Sequence, residues 1–209
     1  MQPFDSLMDQ ADKASGDVRE VYDAWASDYD KDLAEWGYDA PETAAGFLRD
    51  LVPGDVPVLD AGCGTGMTGV ALKEAGFPRI TGIDYSADSV VLARRRDIYE
   101  ALSVVDLTAL PTAFPDGAFG GLICVGVMSY LPAIEATCRE FCRLVEPGGA
   151  IVLTQRADIF TERDTQGAFD AVARAGLWQQ VEVTEPRPYL PGNPEFDGVG
   201  VRYGVFRRV

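Results

Sequence analysis

One nine-residue stretch constrains this chain more than any other: VLDAGCGTG, residues 58–66. An apolar strand runs into three glycines spaced two apart, Gly62, Gly64 and Gly66, and then into a helical pattern, TGMTGVALKEAG (65–76). Glycine is required at such a turn because the backbone must enter conformations closed to other residues, or because a ligand must approach the backbone with no Cβ in the way. No Lys-Ser/Thr pair follows, so the turn is not a phosphate-cradling P-loop. Asp60 just before it is an odd neighbour for a diphosphate and a sensible one for a cation in a partly dry site.

The rest of the chain continues the strand–helix alternation. RITGIDY (79–85), ALSVVDL (101–107), AFGGLICVGV (118–127) and AIVLTQR (150–156) read as strands. SADSVVLARRRD (86–97), AIEATCREFCRLV (133–145) and TQGAFDAVARAG (165–176) read as helices, the first opened by Ser86 as N-cap. The run 118–127 is apolar throughout, as a strand buried on both faces should be. The C-terminal stretch reads as two strands around a Pro/Gly-rich loop, with VRYGVF one of an antiparallel pair. Such a pattern implies a doubly wound, mostly parallel α/β sheet, whose ligand sits at the carboxyl ends of the strands where their order reverses. Residues 5–52 read as helical, with Val18, Tyr22, Trp25, Tyr29 and Leu33 on one stripe. The expected organisation is one domain over 1–209, with a helical cap (1–52) and a sheet core (53–209).

Composition narrows the chemistry. The chain has 209 residues, 33 acidic and 18 basic, for a formal charge of −15, and no histidine. Residues 1–60 hold 15 of the acidic and 4 of the basic side chains, a net of −11. Absent histidine excludes Ser-His-Asp and Cys-His nucleophile systems and His-containing zinc sites. The acidic balance argues against nucleic acid and anionic membrane surfaces as partners. The basic triplet Arg94-Arg95-Arg96 sits at a helix end, where the helix dipole accounts for it. Cys138 and Cys142, four apart on a helix, read as small buried apolar residues, and no metal site is expected. The first residues carry no basic-then-apolar leader pattern and no 18-residue apolar run exists, so a cytoplasmic location is expected.

Two carboxylates complete the constellation. Asp84 ends the second strand 22 residues after Gly62, where an acid grips a ribose diol; the alternative is a charge at the helix N-terminus before Ser86. Asp106, near the end of the third strand, suits the exocyclic amine of adenine or, alternatively, a turn. Together these features suit an adenosine without demanding a phosphate.

The succession VLDAGCGTG, GIDYS (82–86), Asp106-Leu107, LICVGVMSYLP (122–132) and LVEPGGAIVLTQR (144–156) resembles the motifs of class I S-adenosylmethionine-dependent methyltransferases. YDAWASDYDKDLAEWGYDAPETAA (22–45) resembles the branch formed by the methyltransferase-like protein of the Williams–Beuren syndrome region and its bacterial relatives. The resemblance implies a Rossmann-like seven-stranded sheet with one antiparallel strand near the C-terminus. It implies S-adenosylmethionine as cofactor and S-adenosylhomocysteine as product. It places Gly62, Cys63, Gly64 and Gly66 against the methionyl part, Asp84 on the ribose, and Tyr85, Asp106 and Leu107 around the adenine. Cys124, Val125 and Gly126 line the floor under the sulfonium, and Tyr22 and Tyr29 belong to a cap that closes over it; the same helical stripe would also serve as core. Methyl transfer from a sulfonium needs alignment more than a base, so a chain without histidine is suited to it. Candidates for a base are Tyr130, Asp158 and Tyr189, and Arg156 is a candidate for binding a carboxylate. A small-molecule acceptor is expected, held by the cap and the loops 127–133, 156–165 and 186–199. A nicotinamide-dependent oxidoreductase fits less well: the lysines are Lys13, Lys31 and Lys73, none beyond the third strand. A cofactor-binding protein without turnover is the third reading.

Overall fold

The computed structural model describes residues 31–209. Tyr22, Trp25 and Tyr29, and with them the aromatic stripe of the expected cap, lie outside the described residues.

The first described elements are a helical stretch at 31–35 and helix α1 (Ala40–Arg49). Pro41 sits in the first turn of α1, where its missing N–H costs no helical bond. Ala44, Ala45 and Leu48 recur on one face and pack with Val58, Ile123 and Val152 of the sheet. This helix is therefore a layer over one sheet face rather than part of a lid.

The alternating region follows: β1 (Val58–Ala61), α2 (Met67–Glu74), β2 (Ile80–Asp84), α3 (Ala87–Arg94), β3 (Ala101–Val104), β4 (Phe119–Cys124), α4 (Ile134–Leu144) and β5 (Val145–Arg156). Beyond it lie α5 (Ala157–Glu162), α6 (Thr165–Arg174), β6 (Trp178–Val183), the two-residue β7 (Arg187–Pro188) and β8 (Gly200–Arg208). The strand order is β3-β2-β1-β4-β5-β8-β6, with β7 alongside β8. Strands β1 to β5 pair in parallel, and β8 is antiparallel to β5 and β6. This is the expected sheet of seven strands with one reversed near the C-terminus, extended by β7.

Strands β1 and β4 are buried at every position; the run of β4 carries no charged residue, whereas β1 buries the carboxyl of Asp60. Ser86 caps α3 as expected, its Oγ accepting from the Ser89 N–H at 3.1 Å. The reversed strand is anchored by aromatic packing: Trp178 stacks on Phe206 with centroids 3.8 Å apart, and Phe169 packs edge-on against both.

Three expectations need correction. The third strand stops at Val104 rather than 107, because Asp106 starts a turn. The fifth strand begins at Val145, with Glu146 to Gly149 bulged out between the pairs Phe119–Val145 and Gly121–Ala150. The segment 156–165 is not a loop: α5 occupies most of it, and it contains no Gly or Pro to stop a helix.

Candidate active site

Strand order reverses between β1 and β4, the inner pair from which the chain winds first one way and then the other. The carboxyl ends of these two strands carry the turn 62–66 and the segment from Val125 to Tyr130, so the geometry selects the place the fold reserves for a ligand.

The turn is held to its neighbour by its own backbone. Gly62 N–H and Cys63 N–H both donate to the Ile83 carbonyl, at 2.8 and 2.9 Å, and Gly66 N–H donates to Cys63 O at 2.9 Å. Gly62, Gly64 and Gly66 all have positive φ, +83°, +52° and +96°. Their surroundings differ, however. A Cβ on Gly62 would lie 2.3 Å from Val127 Cγ2, and one on Gly66 would lie 2.8 Å from Arg96 Cδ. Both sites are already filled by protein. Among the described residues, none comes within 4 Å of a Cβ placed on Gly64, so Gly64 borders space that none of them fills.

Asp84 lies at the end of β2 beside this opening and is nearly buried. Its Oδ2 accepts from Gly64 N–H and its Oδ1 from Ser86 N–H, each at 2.9 Å. The carboxylate thus organises both the turn and the start of α3. Tyr85, next in the chain, is exposed. Asp106 is exposed and forms a turn, its Oδ1 accepting from Thr108 N–H at 2.8 Å and Thr108 Oγ1 at 2.7 Å. Leu107 packs in the core. At the end of β4, Cys124 is fully buried among Leu122, Cys138 and Phe141, and Val125 packs on the opposite face with α1. Gly126 N–H donates to Thr154 Oγ1 at 2.8 Å, joining the ends of β4 and β5.

Beneath the turn is an unusual buried carboxyl. Asp60 is fully buried; Tyr99 Oη donates to its Oδ2 at 2.7 Å, while Oδ1 has no hydrogen-bond partner among the described residues. Burial pushes the Asp60 carboxyl up to about 7; the Tyr99 bond opposes the rise and the Asp84 charge adds to it. Burial likewise drives the Cys63 and Cys124 thiols far above the usual range, so neither is a nucleophile at neutral pH.

Sequence reasoning missed two residues here. Tyr99 fits against two glycines: a Cβ on Gly69 would be 2.2 Å from its Oη and one on Gly82 2.8 Å from its Cε1. Glycines inside a helix and a strand were the available signal, since neither element needs them. Arg96, explained above by a helix dipole, lies beyond the end of α3 and donates from Nε to Thr65 O at 2.7 Å, bracing the outer side of the turn.

A second, shallow recess open to solvent adjoins these strand ends; Gly126, Tyr130, Thr154, Arg156, Ile159 and Tyr189 contribute to it. It brings together parts of the three expected substrate segments. Tyr189 is half-buried and its phenol is pushed above the usual range by burial and by Tyr130. Arg156 is already matched by Asp158, with Nη2–Oδ2 at 2.5 Å and Nε–Oδ1 at 3.2 Å. Burial raises the Asp158 carboxyl, but Arg156 and the Ile159 N–H outweigh it and hold the group below the ordinary value. Asp158 is thus a poor base, and the Arg156 charge is balanced within the protein. Among the described residues, no helix is long and apolar enough to cross a membrane.

Comparisons with known proteins agree with this arrangement. Residues 59–153 match the family described as "Methyltransferase domain". The human "Methyltransferase-like protein 27" is 31% identical over 166 residues, covering 76% of this chain and 66% of that protein. The "2-methyl-6-phytyl-1,4-hydroquinone methyltransferase" of Synechocystis is 30% identical over 166 residues, covering 68% of this chain and 51% of that one. The chain thus spans between half and just under two thirds of these relatives' lengths. Among solved structures, the methyltransferase chain described as in complex with the Haloferax volcanii Trm112 activator matches with TM-score 0.70 at 20% identity, over 91% of this chain and 97% of that one. An S-adenosylmethionine-dependent methyltransferase from Mesorhizobium loti matches with TM-score 0.59 at 19% identity, over 77% and 95%. The sheet order, the glycine turn at the switch point and these relatives together support a class I S-adenosylmethionine-dependent methyltransferase.

Proposed function

We propose that this chain transfers a methyl group from S-adenosylmethionine to a small-molecule acceptor. The observation that carries the reading is the open space beside Gly64, bordered by the Asp84 carboxylate at the strand-order reversal. The residues fit the cofactor. Gly64 leaves room for a ligand against the backbone, the Asp84 carboxylate stands beside that space as an acceptor type suited to a diol, and the orphaned Asp60 oxygen lies under the turn as latent negative charge.

On this reading Gly62, Cys63, Gly64 and Gly66 hold the methionyl portion through the backbone, with Val127 and Arg96 keeping the turn in shape. Asp84 takes the ribose, and Tyr85, Asp106 and Leu107 form the adenine side. Gly126, fixed by Thr154, lines the second recess. The sulfonium supplies an already activated methyl group. The chain's part is to hold the acceptor in line and exclude water, which needs no strong base. Tyr130 and Tyr189 are the hydroxyls placed to hold an acceptor in that recess; Asp158, engaged by Arg156, is not. The names of several relatives refer to quinone-type acceptors, which supports a small organic substrate here.

A thermal shift screen tests the reading. S-adenosylmethionine and S-adenosylhomocysteine at about 100 times Kd should stabilise by about 2.7 kcal/mol, some 5–10 °C for a domain of this size, and NAD should not. A shift with NAD and none with the methyl donor would overturn it in favour of an oxidoreductase. Release of S-adenosylhomocysteine with a metabolite library then separates turnover from mere binding.

A further inference from the structure

Asp60 and Tyr99 form a buried pair that nothing in the methyl-transfer chemistry itself requires. We propose that Tyr99 is a positioning residue acting through Asp60, and that this pair makes uptake of the cationic methyl donor release a proton. The inference rests on the cofactor reading above.

The geometry is specific. Asp60 is the third residue of β1, two positions before the turn, with no accessible surface. One carboxyl oxygen is held by Tyr99 at 2.7 Å and the other has no donor among the described residues. Tyr99 reaches it from the segment between α3 and β3, fitting against Gly69 of α2 and Gly82 of β2. The ionisable groups interacting with Asp60 from the packed elements are Asp84 on β2, Cys63 in the turn, Cys124 on β4 and Tyr99 itself. None is a cation. A carboxylate in such a place is costly until positive charge arrives, so the cofactor-free protein holds it protonated over part of the neutral range. A ligand carrying a sulfonium and an ammonium on the other side of the turn favours the carboxylate. Binding then expels the Asp60 proton to solvent, and the negative charge remains as the donor's counterion. The Tyr99 hydroxyl fixes the carboxyl in place and sets the pH at which this happens.

Linkage gives the sign. A ligand that prefers the deprotonated form binds more weakly as pH falls below about 7, by up to about tenfold per unit, and its affinity levels off above it. Calorimetric titration of the full chain with S-adenosylmethionine, at pH 7 in two buffers of different ionisation enthalpy, counts the protons. Roughly half a proton should be released per cofactor bound, as expected for a group half-ionised before binding. In Asp60→Asn the release and the fall in affinity between pH 7 and 5.5 should both disappear. In Tyr99→Phe, which keeps the ring between the two glycines, the inflection should move up by about one pH unit, because the bond that favours the charged form is gone. S-adenosylhomocysteine, one positive charge poorer, should release less. Equal release from parent and Asp60→Asn overturns the proposal, as does an unshifted inflection in Tyr99→Phe; if that variant does not fold, the Asp60→Asn comparison decides. Binding without proton release defeats the coupling alone, whereas no binding of the donor at any pH defeats the cofactor reading with it.

Discussion

Replacing Asp60 by asparagine should make the cofactor-free protein more stable, and the gain should depend on pH in a way set by the buried carboxyl. Burial raises this group from 3.8 to about 7 in the folded chain, with Tyr99 opposing the rise and Asp84 adding to it. The folded state therefore holds a proton that the unfolded state gives up between those values. Stability from this group is complete below about pH 4, falls as pH rises toward 7 by about 1.4 kcal/mol per unit, and is constant above it. The accumulated penalty is about 4 kcal/mol at pH 8. Asparagine preserves the shape and can still accept from Tyr99 while never ionising. Its own unpaired amide costs about 1–3 kcal/mol at every pH, so the pH-dependent difference isolates the charge. Urea denaturation of parent and variant at pH 5 and pH 8 measures it. The variant's advantage should be about 3 kcal/mol larger at pH 8 than at pH 5. At two to four degrees per kcal/mol for a chain of this size, that is about 10 °C in relative Tm. A difference that stays flat with pH, or that shrinks toward pH 8, would refute the argument that Asp60 is a buried charge tolerated for binding.

Three further outcomes are expected. Asp84→Ala removes a carboxylate whose charged hydrogen bonds are each worth about 1.5–3 kcal/mol, so calorimetry should show S-adenosylhomocysteine affinity down about tenfold or more; unchanged affinity would remove Asp84 from the ribose. Gly82→Ala places a methyl 2.6 Å from Leu102 Cδ2 and 2.8 Å from the Tyr99 ring; thermal unfolding should show a loss of about 1–3 kcal/mol from overpacking. Trp178→Ala, far from the turn and stacked on Phe206, should cost about 3–5 kcal/mol in denaturant titrations yet leave cofactor affinity unchanged in the folded fraction.

The sheet was legible because its signals are local. Glycine after an apolar strand, Ser86 before a helix and the unbroken apolar run of β4 each state their element within a few residues. The boundaries misread were those where a side chain or bulge intervenes: Asp106 ends β3 early by turning back on Thr108, and β5 starts before its Pro-Gly-Gly by bulging outward. Within the candidate site, Asp84 and the glycines are visible because spacing alone places them at strand ends. Tyr99 and Arg96 were hidden because their roles depend on distant chain coming close: Tyr99 meets Asp60 across 39 positions and Arg96 meets Thr65 across 31. Arg156 shows the opposite failure. In sequence it is a free cation for a substrate carboxylate, and in the fold its charge is matched two residues away.

The central claim is that a ligand lies against the backbone at Gly64, and a single added methyl group tests it most directly. Among the described residues Gly64→Ala meets no atom within 4 Å, so the expected cost to folding comes from its φ of +52°, about 1–2 kcal/mol. Calorimetric titration of S-adenosylhomocysteine into parent and variant should show binding to the parent and at least a tenfold loss in Gly64→Ala, with only a few degrees off its Tm. Equal affinity in the two proteins, or none in the parent, would contradict the account.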